Sequence, residues 1–335
     1  MRSTGIRVLA LSLWLTSLAL ADSAKQAAPA KDPLAGTRLL ESIQVDSLTL
    51  TPIVATAPTS SKTDVLVLDE AMASNKVRIK ELASEDVNSL TFINKSQQPV
   101  FLLAGEVIIG GKQDRIIGMN TIIPANTTQT VPVFCVEHGR WDNSSKEFTS
   151  AKALAHGRLR GKASFAAQGD VWSEVADKNE RRKTKSSTDT YRQIAQQQTD
   201  GSLKTWQKRV DQALAKVPAA DRANMIGYVV ALNGKVATVD MFQSPTLFKK
   251  LESKLVTSYV TEAVDLVATK DAKPPTPKQV YEFIDDAEQA AEESAYSTRA
   301  AKSLKKSGRV TGKAKVVDAA APDSAPAVYQ NYQAK

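Results

Sequence analysis

One cysteine in 335 residues, Cys135, leaves no partner for an intramolecular disulfide, so the core alone must hold the fold even in an oxidising compartment. Cys135 lies in the apolar run "VPVFCVE", where a small buried hydrophobe is the expected role rather than a nucleophile. Two histidines, His138 and His156, are too few for a His-based zinc site, so no metal is expected, and the residues name no cofactor. After the first twenty residues, no apolar run reaches the roughly 20 residues that a spanning helix needs, so no membrane span is expected. Aromatic residues are few and are not interleaved with the basic runs, which argues against nucleic acid as a partner.

What the chain does have begins with "MRSTGIRVLALSLWLTSLALADS": Arg2 and Arg7, an apolar run from Val8 to Leu20, and a small-x-small site at Ala19-Leu20-Ala21. This is the pattern of a secretory signal peptide over 1–21. The mature protein is therefore expected to begin near Asp22 and to be exported, to the periplasm or outside the cell. No Cys follows the cleavage point, so no lipid anchor is expected there. With 42% hydrophobic and 24% charged residues the body is that of an ordinary folded protein. The formal charge of +8 is concentrated in "RRKTK" (181–185) and "KSLKKSGRVTGKAK" (302–315), which solvated helix faces and a basic tail would explain. An anionic envelope surface is the alternative partner for that charge.

Periodicity divides the chain. Residues 22–36 have linker composition. Residues 37–149 alternate apolar and polar positions in short runs with turn signals, which predicts an antiparallel, sandwich-like sheet region. One short helix interrupts it at "TDVLVLDEAMASN", with Thr63 as its cap. "VNSLTFINKSQQPVFLLAGEVIIGG" reads as two strands joined at Asn94 to Pro99. From Ser150 to 218 the spacing is helical, with Leu203, Trp206, Val210, Leu214 and Val217 on one face. In "MIGYVVALNGKVATVDMF" two apolar strands flank Asn233-Gly234, the pair that a type I′ turn demands. A helix follows, capped by Ser244 with Pro245 in its first turn, so 219–270 reads as hairpin plus helix. A last helix is expected within 271–308, from Pro277 to about Ser307, because its charges run from acidic to basic. Residues 309–335 read as a basic, disordered tail. The fold class is α+β.

The stretch "AGEVIIGGKQDRIIG" (104–118) sets Glu106, Gln113, Asp114 and Arg115 among Ile and Val. Its glycines precede no helix, so a turn or bulge is expected rather than a phosphate loop. Glu106 or Glu137 facing Arg115 or Arg140 would make a buried ion-pair brace. The same residues could instead form a site for an anionic small molecule, with Arg115 and Arg140 gripping it, Trp141 stacking, and Gln113, Glu106 and Glu137 taking its hydroxyls.

The blocks "LDEAMAS", "AGEVIIGGKQDR", "VPVFCVEHGRW", "LRGKASFAAQGDVWSEV" and "ALNGKVATVDMFQSPTLFKKL" occur in an order that resembles one family. It is the domain named for its association with ADP-ribosylglycohydrolases and the rhodanese-phosphatase superfamily. The resemblance covers about 38–270 and implies one composite domain, leaving the leader, last helix and tail outside. Its recognisable positions fall on Gly105, Glu106, Gly111, Gln113, Arg115, Cys135, Glu137, Arg140 and Trp141, with Asp114 standing where Asn is usual. It implies a link to nucleotide or ADP-ribose metabolism that rests on gene and domain company. Two functions follow as expectations: an exported, non-enzymatic binding or structural module, or a hydrolase-like enzyme on a sugar-phosphate, nucleotide or ADP-ribose-related substrate, with Glu106 and Glu137 as acid and base.

Overall fold

The computed structural model describes residues 32–57, 65–82, 86–141, 147–323 and 326–335. The expected leader, most of the expected linker and Thr63 lie outside the described residues. In chain order the first elements are β1 (Thr37–Leu39), β2 (Ile43–Val45), β3 (Leu48–Ala55), β4 (Leu66–Val67), α1 (Leu68–Ala73), β5 (Val77–Glu81) and β6 (Ser89–Asn94). Next come β7 (Val100–Leu102), β8 (Glu106–Gly110), β9 (Arg115–Ile117), β10 (Thr121–Ile123), β11 (Thr127–Cys135) and β12 (Phe148–Leu154). The helical stretch supplies α2 (Gly157–Phe165), α3 (Gln168–Arg182), α4 (Arg192–Gln197), α5 (Lys204–Leu214) and α6 (Ala219–Ala223). Then follow β13 (Met225–Leu232), β14 (Lys235–Phe242), α7 (Pro245–Ala263) and α8 (Pro277–Glu288). The chain closes with β15 (Glu292–Ser297), β16 (Ala301–Ser307), β17 (Thr311–Asp318) and β18 (Tyr329–Ala334).

The strands make three sheets in an α+β fold. A large nine-stranded sheet runs β1-β3-β13-β14-β18-β17-β16-β15, with β2 added beside β3. A second, six-stranded sheet runs β12-β8-β9-β11-β6-β5, and a small one runs β10-β7-β4. The small sheet is the shared layer, because strand side chains alternate faces. Phe101 and Ile122 join the core formed by the large sheet and α7, whereas Val100, Leu102 and Ile123 join the core under the second sheet. On that sheet's other face, Val107, Ile116 and Val136 pack with Leu159, Val171, Val175 and Ile194 of α2, α3 and α4. The sandwich-like region is thus layered on both sides.

Local chemistry accounts for the clearest boundaries. Asn233 and Gly234 turn β13 into β14 with φ of 47° and 79°, both positive as a type I′ turn requires. Ser244 caps α7 by accepting the Leu247 N–H, and Leu247, Leu251, Leu255, Tyr259 and Ala263 are all buried along it. Pro132 does not end β11; it marks a change of partner, since Thr127–Pro132 pair with β6 and Val133–Cys135 with β9.

Three expectations are corrected. The run "VFLLAGEVIIGG" is two strands, broken between Leu102 and Glu106, where Gly105 takes φ of 93°. Glu106 therefore does not continue one strand face with Leu102 and Ala104. The helical stretch begins at Gly157, because β12 runs on through Leu154 beside β8. The last helix stops at Glu288, and everything after it, including the supposed disordered tail, supplies β15 to β18. Pairing explains the difference: β17 and β18 are inserted between β14 and β16, so neighbours supply the ladder that low-propensity Ala and Lys residues could not favour alone. Their basic residues are paired within the fold, Lys306 and Lys313 with Glu288 of α8 and Lys315 with Glu292.

Tyr329 and Tyr332, both fully buried, anchor β18. Deleting residues 309–335 is accordingly expected to abolish cooperative unfolding and leave the chain aggregated, as read by circular dichroism and urea titration. A truncated chain that unfolds like the whole one would return this segment to a dispensable tail.

Candidate functional site

The tight connection between β8 and β9 is built on Gly110 and Gly111, with φ of 130° and 54°. A side chain at Gly111 would place its first carbon 2.2 Å from the Phe148 ring, so only glycine fits. This turn carries Asp114, which is completely buried. One oxygen of its carboxylate accepts from the Gly110 N–H (3.1 Å), Arg192 Nη2 (2.7 Å) and Arg140 Nη2 (3.4 Å). The other accepts from Arg192 Nε (2.9 Å) and Thr190 Oγ1 (2.9 Å). Arg192 grips it as a fork across both oxygens, the geometry in which a guanidinium binds a carboxylate most strongly.

Glu137 completes the cluster. Its Oε2 accepts from the Asp114 N–H (3.0 Å) and from Arg140 Nε (2.9 Å). Arg140 Nη1 also donates to the Gly111 carbonyl (2.9 Å), and Gln113 Nε2 to the Glu137 carbonyl (2.7 Å). The structure thus brings together Gln113, Glu137 and Arg140, and adds Asp114 to them. Asp114 sits at the centre and takes the arginines itself. Trp141 is 55% exposed outside this cluster, with the Lys112 ammonium 4.8 Å from its ring.

Glu106 stands apart from it, and Arg115 touches it only through the Gln113 amide and the Asp114 carbonyl. Arg115 is the ladder partner of Ile108 and Cys135 and shares their buried face. Its Nη1 reaches Gln113 Oε1 (3.5 Å) and the Asp114 carbonyl (3.4 Å), and no carboxylate pairs with it among the described residues. Cys135 is buried, and that burial pushes its thiol up against the pull of the Arg115 charge. Glu106 accepts from the Leu103 N–H (2.9 Å) and from Lys254 Nζ of α7 (2.8 Å), and Lys254 also reaches Asp69 of α1 (2.6 Å). Burial holds the Glu106 carboxyl above its ordinary range despite Lys254.

Two further networks carry residues that spacing did not single out. Arg160 of α2 donates to Asp240 of β14 with both Nη1 (3.1 Å) and Nη2 (2.9 Å) and to Tyr329 Oη (2.8 Å). Tyr259 and Tyr329 donate their hydroxyls to the same Asp240 carboxylate. An aspartate inside the apolar strand "ATVDMF" was the available signal. His156, the residue before α2, is buried, with Nδ1 2.9 Å from Tyr191 Oη and Nε2 3.0 Å from Glu174 Oε1. Glu174 can only accept at Nε2 when ionised, so the neutral ring carries its proton there and Nδ1 accepts from the Tyr191 hydroxyl, which itself accepts the His156 backbone N–H. Lys178, also buried, pairs with Asp265 at 2.6 Å. Among the described residues no group of three or more His, Cys, Asp or Glu could hold a metal ion.

A family model described as the ARG and Rhodanese-Phosphatase-superfamily-associated Protein domain matches residues 36–324. The chain belongs to that family. The match extends well past residue 270 into the C-terminal strands, which the resemblance had left outside, in keeping with their place inside the large sheet. No curated protein and no solved structure gives a match. Gly105, Glu106, Gly111, Gln113, Glu137 and Arg140 thus fall at junctions between chain segments.

Two outcomes follow. Asp114→Ala should cost about 1–3 kcal/mol: Arg192 is 37% exposed and can turn to water, but the Thr190 hydroxyl and the Gly110 N–H lose a buried acceptor. Urea denaturation at neutral pH measures it, and a cost below about 1 kcal/mol would deny the cluster a bracing role. Burial lowers the His156 pKa from 6.5 to about 3. The unfolded chain therefore binds a proton that the folded chain refuses, and stability that is full above pH 6.5 falls as pH drops towards 3. Between pH 7 and 5 this one residue should remove about 2 kcal/mol, and His156→Gln should flatten that part of the stability profile.

Proposed function

We propose that this protein is an exported, non-enzymatic module whose polar family residues brace its fold. Support comes from one observation: each carboxylate that an acid–base mechanism would use is already filled by its own chain. Glu106 is held by Lys254 and the Leu103 N–H, and Glu137 by Arg140 and the Asp114 N–H. They answer to different cations and different elements, so they do not converge on one bond of a bound substrate. An exogenous anion at Arg140 would have to displace Asp114 or Glu137, both buried. The basic N-terminal residues, apolar run and Ala19-Leu20-Ala21 support export.

The test uses the full chain expressed in a secreting host. Mass spectrometry of the exported product should find Asp22 at its N-terminus. That product should hydrolyse none of ADP-ribose, nucleotides or sugar phosphates above a blank. Nor should these raise its unfolding midpoint, although a ligand at about a hundred times its Kd would add roughly 2.7 kcal/mol. Turnover that Glu106→Gln or Glu137→Gln abolishes, in variants that still melt cooperatively, would replace this reading with the hydrolase.

A further inference from the structure

Between α2, α7 and the large sheet lies a cleft of about 330 Å³, within the range of small-molecule sites. It shares no lining residue with the Asp114 cluster. Its walls are chemically divided. Val230, Leu232 and Ala237 give it an apolar floor, while Arg158 and Lys162 bring two cations to it, and Lys335 stands at its edge with its ammonium turned to Ser307 and Gly308. Arg158 and Lys162 are four residues apart on α2 and so share a helix face.

The charge there is poorly compensated. Glu262 is the carboxylate in the lining, and its Oε2 caps the Arg158 backbone N–H at 3.0 Å. Its other oxygen is 3.9 Å from Arg158 Nε. Lys162 has no ion-pair partner among the described residues, and Lys335 Nζ donates only to the uncharged Ser307 Oγ (2.8 Å) and Gly308 carbonyl (3.0 Å). The strand register shifts beside the floor: Val230 pairs with Thr238 but Ala231 with Val236, so Ala237 is the extra residue of a bulge. Bulges of this kind re-aim side chains next to sites.

We propose that this cleft binds a small amphiphilic anion, its apolar body on Val230, Leu232 and Ala237 and its anionic head between Lys162 and Arg158. The proposal goes beyond the brace and stands or falls independently of it, since it requires no chemistry at Glu106 or Glu137. An aliphatic or aromatic carboxylate or sulfonate has the required division between body and head. Attraction to partly exposed cations also makes the affinity fall with salt.

The probe is 8-anilinonaphthalene-1-sulfonate, titrated by fluorescence into the whole mature chain and displaced with sodium decanoate. Saturable binding at one site, competed by decanoate, is expected. Lys162→Glu should weaken it roughly tenfold, a single charge reversal's worth of affinity, and Ala237→Phe should remove it. Lys216→Glu, which lines a separate groove beside β1 and α5, should leave it unchanged. Absence of saturable binding overturns the proposal, as does binding that survives both cleft variants in cooperatively melting proteins. Should Ala237→Phe fail to fold, the methyl resonances of Val230 and Leu232 decide the matter in the native chain. They move on adding decanoate if the cleft is the site, and stay still if it is not.

Discussion

Arg160 is the side chain on which the arrangement of layers depends. It leaves α2, passes over Gly105 at the start of the second sheet, and ends on Asp240 in the large sheet. A side chain at Gly105 would stand 2.6 Å from Arg160 Cγ, so the glycine is the opening through which the guanidinium crosses. At its far end Asp240 also accepts from Tyr259 of α7 and Tyr329 of β18. One carboxylate thus fastens its own strand to α2, α7 and β18. Burial opposes its charge, but Arg160 and the two phenols overcome that opposition and hold its carboxyl below the ordinary range. Removing either member of such a pair leaves a buried charge unmatched, which costs several kcal/mol.

The same logic explains the family residues around Glu106 and Asp114. Lys254 joins α7 to Glu106 of β8 and Asp69 of α1, and Arg192 joins α4 to the Asp114 turn. Asp114 supplies the negative charge that lets one residue accept from two arginines. The Asp114 carboxylate occupies the place beside the arginines that a bound anion would take.

How much of this was legible in the sequence depended on whether a feature is local. The Asn233-Gly234 turn, the Ser244 cap and the α7 stripe are set by residues within a few positions of one another, and all stand as read. The closing strands could not be read that way. Lys302, Lys305 and Lys306 follow an acidic stretch in the order a helix favours, and only the neighbouring β14 and β17 make strands of that region and its successors. The site was legible by residue type but not by partner. Glu106, Glu137 and Arg140 were rightly marked as needing counter-charges, yet Lys254 is 148 positions from Glu106 and Arg192 is 78 from Asp114. Nothing in local spacing announces a pairing across such distances.

Those long-range pairs also determine what kind of binding surface the molecule can offer. Apolar contacts tolerate a helix sliding by a fraction of a turn, because they are non-directional. A fork between guanidinium and carboxylate does not, since misalignment strands a charge in a dry interior. Here α2 is pinned by Arg160, α7 by Lys254 and Tyr259, and α4 by Arg192, each to a strand or turn of a sheet. The walls of the cleft beside Val230 belong to the first two of those helices and to the large sheet. A ligand entering it therefore meets a cavity already ordered by the fold and loses little affinity to arranging it. On this account the braces and the cleft are complementary: charges that are satisfied internally fix the scaffold, and Lys162, which has no ion-pair partner among the described residues, borders the space left between its parts.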